Sequence, residues 1–365
     1  MDDKKRRKNG RLILTINPGG TSSKVGLFEE TDLIFEKNIR HLPRELEEFE
    51  TTMDQRDFRK RIILDTLKEA GYKPSDLHAV AGRGGTFKPL SSGTYRVNDK
   101  LIGDIYDGST LQADHPSNLG AVLAHDIAEL AGVEPYIVDP VCVDEMIDEA
   151  RLSGLPELER TSLSHALNIR MVAYKAAGIL ERPVNEVNLV ILHLGSGISV
   201  CPMRRGRLID ASQANDGGPF SPQRVGQLPT TGLAKLCLSG KYDWKSLKVK
   251  LLKKGGLLAY TGTDHVGEAR KRAEAGDENC DLALRAMAYQ ISKEAGAMAA
   301  ALAGDVDALV ITGGIANNPW MVDRLKRNLG FLGRIIVFPG EEELEALMRG
   351  VLRVMDSVEE VRHYE

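Results

Sequence analysis

One pattern occurs twice in this chain and constrains its fold more than any single residue does. Leu12 to Ile16 is an apolar run that breaks at Asn17-Pro18-Gly19-Gly20-Thr21-Ser22-Ser23-Lys24 and resumes at Val25 to Phe28. Leu189 to Leu194 breaks at Gly195-Ser196-Gly197 and resumes at Ile198 to Val200. A second turn and a third short strand follow each copy, at Leu33 to Phe35 and at Arg207 to Ile209. Apolar runs of this length bounded by Gly-rich turns predict buried strands joined as hairpins. Either turn alone reads equally well as an ordinary hairpin. Two copies predict two similar α/β subdomains, each presenting a glycine- and hydroxyl-rich loop whose backbone N–H groups suit a phosphate. Such loops facing each other across a cleft would hold a nucleotide from both sides.

The 365 residues suffice for two domains with substantial cores. Apolar residues at 42% and charged ones at 27% are those of a globular protein. A formal net charge of -4 argues against a general nucleic-acid binder. Cys142, Cys201, Cys237 and Cys280 form no C-x-x-C pair, so neither a disulfide framework nor a zinc site is expected. That fits a reducing, cytoplasmic setting. No apolar segment is long enough to span a bilayer, and no membrane partner is expected. Met1 to Gly10, with Lys4-Lys5-Arg6-Arg7-Lys8, reads as a disordered basic tail.

Helical spacing is predicted over Asp57–Ala70, with Phe58, Ile62, Ile63 and Leu67 on one face. It is predicted again from His115-Pro116-Ser117-Asn118 to about Leu130, and from Leu163 to Ala177. The strongest helical pattern runs from Asp281 to Leu302, where Met287 and Met298 read as packing. Asp144, Glu145, Asp148 and Glu149 read as a solvated helix face. Arg83 lies between glycines at a strand end, where it suits a ligand as well as it suits solvent. Asp139 follows the strand Tyr136–Val138, and acids at the carboxyl ends of α/β strands commonly face the ligand crevice. His165 stands at a helix start, as a cap or as a candidate. Arg224 is the only cation of the loop from Ala214 to Arg224. Thr312-Gly313-Gly314-Ile315 ends another apolar strand, with a turn that lets backbone lie against a flat ring. Glu341-Glu342-Glu343 begin the last helix, as its dipole favours.

These motifs in this order resemble the acetate/butyrate kinase family, within the actin-like ATPase fold. The resemblance covers nearly the whole chain beyond the basic tail. It rests on Asn17 to Lys24, His115 to Gly120, Val138-Asp139-Pro140, His165-Ala166-Leu167-Asn168, His193 to Ser199, Gly218-Pro219-Phe220-Ser221-Pro222, Thr312 to Ala316 and Phe338 to Leu344. It implies an α/β fold of two ribonuclease-H-like domains flanking a nucleotide cleft. The expected divisions are 11–143 with 343–365 for the acyl-substrate domain and 144–342 for the nucleotide domain. A hinge is expected near Cys142 to Arg151. The implied reaction moves the γ-phosphoryl group of ATP to a short-chain fatty acid, butyrate first and acetate, propionate or a branched acid as the alternative, giving ADP and an acyl phosphate.

The resemblance further implies roles for individual residues. Arg83 and Arg224 match arginines at the transferred phosphoryl group, His165 a transition-state histidine, and His115 a histidine lining the same site. Asn17, Gly19, Gly20, Thr21, Ser22, Ser23 and Lys24 match the first phosphate loop. His193, Gly195, Ser196 and Gly197 match the second, and Gly313, Gly314 and Ile315 the adenosine loop. Asp139, Glu342 and Asn17 match groups holding Mg²⁺. A homo-oligomer, at least a dimer, is implied by family analogy. The carboxylate nucleophile, with a pKa of ~4.3 like that of Glu, is already ionised and needs no general base. Cationic groups at the phosphoryl oxygens meet the remaining difficulty, the approach of one anion to another. A nucleotide-switched filament or chaperone ATPase and a sugar kinase are the competing readings. Asn17-Pro18 stands where the former usually carry an acid, and no base for a sugar hydroxyl stands out.

Overall fold

The computed structural model describes residues 10–111 and 115–365. The basic segment Lys4–Lys8 lies outside the described residues. The chain divides into two compact units, one running to Val143 and resuming at Glu342, the other spanning Asp144–Glu341.

The first unit holds β1 (Leu12–Pro18), β2 (Ser22–Glu29), β3 (Asp32–Arg40), α1 (Pro43–Leu46), α2 (Arg56–Glu69), β4 (Ala79–Arg83), β5 (Thr94–Arg96), α3 (Asp99–Asp107), α4 (Asn118–Ala131) and β6 (Glu134–Val138). The last helix, Glu343–Met355, and the last strand, Arg362–His363, also belong to it and are called α13 and β12 below. The sheet order is β12-β5-β6-β4-β1-β2-β3. β1, β4 and β6 run parallel, while β2 and β3 return antiparallel. Buried on both faces, the parallel strands read as continuous apolar runs. α4 crosses β4 so closely that a Cβ on Gly82 would stand 1.9 Å from the Gly120 carbonyl oxygen. α13 packs on β1, β4 and β6 through Leu344, Leu347, Met348 and Val351, all buried. Each such side chain contributes roughly 1.5–3 kcal/mol by leaving water.

The second unit holds α5 (Asp148–Arg151), α6 (Ala166–Ile179), β7 (Asn188–Leu194), β8 (Ile198–Arg204), β9 (Arg207–Leu208), α7 (Thr230–Cys237), α8 (Trp244–Lys253), α9 (Gly256–Thr261), α10 (Val266–Glu274), α11 (Glu278–Ala301), β10 (Ala308–Gly313), α12 (Pro319–Leu329) and β11 (Ile335–Pro339). Its sheet runs β11-β10-β7-β8-β9. That order repeats β6-β4-β1-β2-β3 of the first unit, parallel and antiparallel pairs included. β1 corresponds to β7, β4 to β10 and β6 to β11. The repeat seen in the sequence is therefore a repeat of topology. α11 supplies the core with Leu284, Met287, Ala288, Ile291 and Met298.

Two readings of the sequence change. Asp144 and Glu145 are not on a solvated helix face, since α5 begins only at Asp148. Asp144 accepts two hydrogen bonds from Arg151, at 2.7 and 2.8 Å, and buried Glu145 accepts the Leu208 N–H. On α2, the fully buried positions are Ile63, Leu67, Thr66 and Arg59, while Phe58 and Ile62 are only partly covered. A buried arginine breaks the apolar pattern from which that face was drawn.

Candidate active site

In the first unit the candidate residues collect at the carboxyl ends of the parallel strands, as ligand groups do in α/β sheets. Asn17 lies near the end of β1, Arg83 ends β4, and Asp139 follows β6. The Glu343 carboxylate, on the first turn of α13, accepts from both Asn17 Nδ2 and Arg83 Nη1. Asn17 Oδ1 stands 3.5 Å from the same guanidinium. Arg83 Nε is buried and has no hydrogen-bond partner among the described residues. Asp139 is 3% exposed, and its Oδ1 accepts the Gly93 N–H at 2.8 Å. Its φ of 39° lies in the left-handed region, a strained conformation that clusters at functional sites. His115 is exposed ahead of α4, its Nδ1 2.6 Å from Ser117 Oγ.

Several expectations are corrected here. The acid beside Asn17 is Glu343, whereas Glu342 is exposed at the position just before the helix and makes no side-chain cap bond. Consecutive residues at a helix start point about 100° apart, so one step along a run of acids changes which of them faces the sheet edge. Ser23 does not face the loop's outer side. β2 begins at Ser22, side chains alternate faces from there, and Ser23 falls inward. Its fully buried hydroxyl lies 2.9 Å from His41 Nε2 and 3.0 Å from Arg59 Nη1. Burial first, and then the Arg59 charge, pushes His41 down to about 4, so its ring is neutral. Lys24 sits on β2 opposite Asn17, with its ammonium 3.3 Å from Glu36 on β3 in a half-exposed pair. Gly19 and Gly20 have no positive φ, so the turn does not depend on glycine's left-handed conformation at either. A Cβ on Gly20 would meet nothing within 4 Å, which leaves the outer side of the turn open. Thr21 is exposed and Ser22 partly so.

In the second unit, His193 near the end of β7 pairs across the hairpin with Ser199 on β8. Cross-strand partners share a face, and His165 lies on that face. The His165 ring stacks on His193, with centroids 3.9 Å apart and planes 10° apart, and its Nδ1 is 2.9 Å from Ser199 Oγ. His193 is 1% exposed and its Nδ1 donates to Asn168 Oδ1 at 2.8 Å. Glu341 Oε1 stands 3.2 Å from His193 Nε2 without the alignment of a hydrogen bond. His193 thus lies buried beneath His165, with its Nε2 close to Gly195 and without a hydrogen-bond partner among the described residues. Nor does His165 cap α6, since its side chain makes no cap bond.

The loop itself is Gly195-Ser196-Gly197, closed by the Gly195 N–H to the Gly197 carbonyl at 3.0 Å. Ser221 Oγ donates to the Ser196 carbonyl at 2.6 Å, and the Arg224 N–H donates to Ser221 Oγ at 3.1 Å. The Arg224 guanidinium lies against Gly197, where a Cβ would stand 2.4 Å from Nη1, and it donates to the Ala214 carbonyl at 3.0 Å. Burial pushes its pKa below the usual arginine value. A cleft of about 700 Å³ is lined by Gly195, Ser196, Gly314, Ile315, Asn317 and Glu341, among others. Gly313, at φ 90°, lies behind it, where a Cβ would stand 2.4 Å from the Leu194 carbonyl oxygen.

Sequence reasoning gave no role to Glu343, Asn168, Ser199, Ser221 or Arg59. Asn168 carried a signal, since it follows His165 by three residues at the head of a helix and so shares its face. Ser199 carried one too, as the hairpin partner of His193. Glu343 was hidden in a run of three acids.

These strand-end sites on a duplicated sheet define a two-domain α/β fold shared with short-chain acid kinases. Acetate kinase of Porphyromonas gingivalis matches with a TM-score of 0.77 at 21% identity, over 94% of this chain and 99% of that one. A propionate kinase of Francisella tularensis matches with a TM-score of 0.72 at 18% identity, over 93% and 98%. Residues 160–343 match the Acetokinase family. Butyrate kinase 2 of Clostridium acetobutylicum is 44% identical over 353 residues, which is 96% of this chain and 99% of the relative. The chain belongs to the acetokinase family.

Proposed function

We propose that this protein transfers the γ-phosphoryl group of ATP to the carboxylate of a short-chain fatty acid, butyrate first, giving ADP and an acyl phosphate, reversibly and by direct in-line displacement. Arg83 is the observation that carries the reading. Its buried Nε, unpartnered beside Asn17 and Glu343, is a donor waiting for an anion. The near-full-length similarity to a butyrate kinase supports the choice of acid.

The acid enters ionised, so the chain's own residues bind and orient rather than remove a proton. Arg83 and Arg224 offset charge on the equatorial oxygens of the moving group, an effect worth ~10³-fold or more in rate. His165, its ring fixed by Ser199 and His193, hydrogen-bonds the same group. Gly20 to Ser22 of the first turn and Ser196-Gly197 of the second loop offer backbone N–H groups to phosphates, the Gly19 and Gly195 N–H groups being taken by the Ser22 and Gly197 carbonyls. Gly313, Gly314 and Ile315 border the adenosine side of the cleft. His115 lines the acyl side. Mg²⁺ suits the oxygen donors at the first sheet edge, where Asp139, Glu343 and Asn17 would hold it, directly or through water. Among the described residues no three His, Cys, Asp or Glu side chains gather as ligands. A cation that keeps its waters and shares phosphate oxygens needs no such cluster. When bound, it supplies charge neutralisation along the triphosphate. A cytoplasmic homo-oligomer is part of the same reading, and no described helix is long and apolar enough to cross a membrane.

The test is trapping of acyl phosphate as the hydroxamate, with ATP, Mg²⁺ and acetate, propionate, butyrate and isobutyrate in turn. Butyrate is expected to give the highest kcat/KM, and Arg83→Ala to stay folded with at least a ~10³-fold lower rate. ATP hydrolysis or sugar phosphorylation without hydroxamate from any acid would overturn the proposal.

A further inference from the structure

We propose that Arg59 is a positioning residue that sets the outward face of the first phosphate turn from beneath. The inference rests on reading that turn as a phosphate cradle.

Arg59 is 1% exposed, in the middle of α2. Its guanidinium makes only neutral contacts. Nη1 donates to the Ser22 carbonyl at 2.9 Å and to Ser23 Oγ at 3.0 Å. Nη2 donates to the Gly20 carbonyl at 3.4 Å and to Gln55 Oε1 at 2.8 Å, and Nε to Gln55 Oε1 at 3.0 Å. Among the described residues no carboxylate pairs with it. A cation buried without a counter-charge costs several kcal/mol, so packing alone gives no reason to keep an arginine here. Burial pushes it down to about 10, which leaves it charged at neutral pH. The neighbouring imidazole, His41, is neutral and does not add to the charge.

The effect on the turn follows from peptide geometry. The Gly20 and Ser22 carbonyls are drawn onto Arg59, and the Thr21 carbonyl accepts the His41 N–H at 2.9 Å. In a trans peptide the N–H of the next residue points opposite to the carbonyl. Holding the Gly20 carbonyl on Arg59 therefore turns the Thr21 N–H the other way, toward the side that Gly20 leaves open, and holding the Thr21 carbonyl on the His41 N–H turns the Ser22 N–H away from His41. Three carbonyl dipoles are withdrawn from an incoming anion, and the N–H ends that form an anion nest are presented to it. The unpaired charge beneath adds attraction for the same anion. Arg59 itself touches no phosphate.

The experiment is calorimetric titration of ATP and of ADP, each with Mg²⁺, into the wild-type protein, Arg59→Met, Arg59→Lys and Gln55→Leu, with folding checked by circular dichroism. The family resemblance implies that the first turn lies at the transferred group, so the γ-phosphate should report the loss. ATP binding is expected to weaken about tenfold or more in Arg59→Met, the scale of losing charged hydrogen bonds. ADP binding should weaken less than about threefold, Arg59→Lys should recover part of the ATP loss, and Gln55→Leu should weaken ATP by a few-fold. Equal weakening of ATP and ADP in a folded Arg59→Met, or none, overturns the inference. If Arg59→Met does not fold, Gln55→Leu decides, and unchanged ATP binding there overturns it. These titrations need no acyl acceptor. Failure of the carboxylate-kinase reading therefore shows separately, as absent hydroxamate in the wild type.

Discussion

Gly197→Ala isolates the placement of Arg224 from its charge. Gly197 has no positive φ, so alanine adopts its backbone conformation without strain. The added methyl would stand 2.4 Å from Arg224 Nη1 and 2.8 Å from Cζ. Ordinary contact lies near 3.5 Å, so the guanidinium must retreat by about 1 Å. The end of an arginine side chain can do so, and stability should fall by no more than about 1 kcal/mol. Catalysis is less tolerant, because misplacing a reacting-group contact by about 1 Å costs on the order of 10²-fold in rate. Gly195→Ala is the control in the same loop, where the nearest atom, His193 Nε2, is 3.1 Å away and Arg224 is not displaced. The assay is kcat for hydroxamate formation beside melting curves for both variants. The account expects kcat near 1% of wild type for Gly197→Ala, a milder effect for Gly195→Ala, and similar melting. A Gly197→Ala protein within twofold of wild-type kcat would refute the placement of Arg224 at the reacting group.

Two further outcomes follow. His41 is pushed from 6.5 to about 4, so the folded protein refuses a proton that the unfolded chain accepts. Stability is therefore full above about pH 6.5 and falls as pH drops toward 4, by up to about 3 kcal/mol. Urea midpoints at pH 7.5 and 5 should show a smaller acid loss in His41→Gln than in wild type. Asp139→Asn keeps an acceptor for the Gly93 N–H and tolerates the φ of 39°, so melting should hardly change. Its turnover should fall about a hundredfold or more, with a higher Mg²⁺ concentration needed for half-maximal rate.

Much of the fold was legible because strand and turn chemistry is local. Leu12 to Phe28 and Leu189 to Val200 announce two hairpins, and the strong helical pattern from Asp281 to Leu302 is the long helix α11, Glu278–Ala301. The strand ends named Arg83 and Asp139 for the same reason, since the carboxyl edge of a parallel sheet is where a ligand sits. What could not be read was orientation. Ser23 turns inward only because β2 starts at Ser22, Glu343 and not Glu342 meets Asn17 by one step of a helix, and His193 lies beneath His165 because β7 buries it. Arg59 was illegible for a different reason. Besides Gln55 and Ser23, its partners are the Gly20 and Ser22 backbone carbonyls, which leave no mark in a sequence.

The central claim is that a carboxylate oxygen attacks the γ-phosphorus of ATP. Butyrate labelled with ¹⁸O in both carboxyl oxygens tests it directly when the product is split by hydroxylamine. Attack by hydroxylamine at the carbonyl carbon leaves the bridging oxygen on phosphate. The account predicts one ¹⁸O in each phosphate released, matched by one in the hydroxamate. Unlabelled phosphate accompanying ADP formation would show that water or another group took the phosphoryl, and would contradict it.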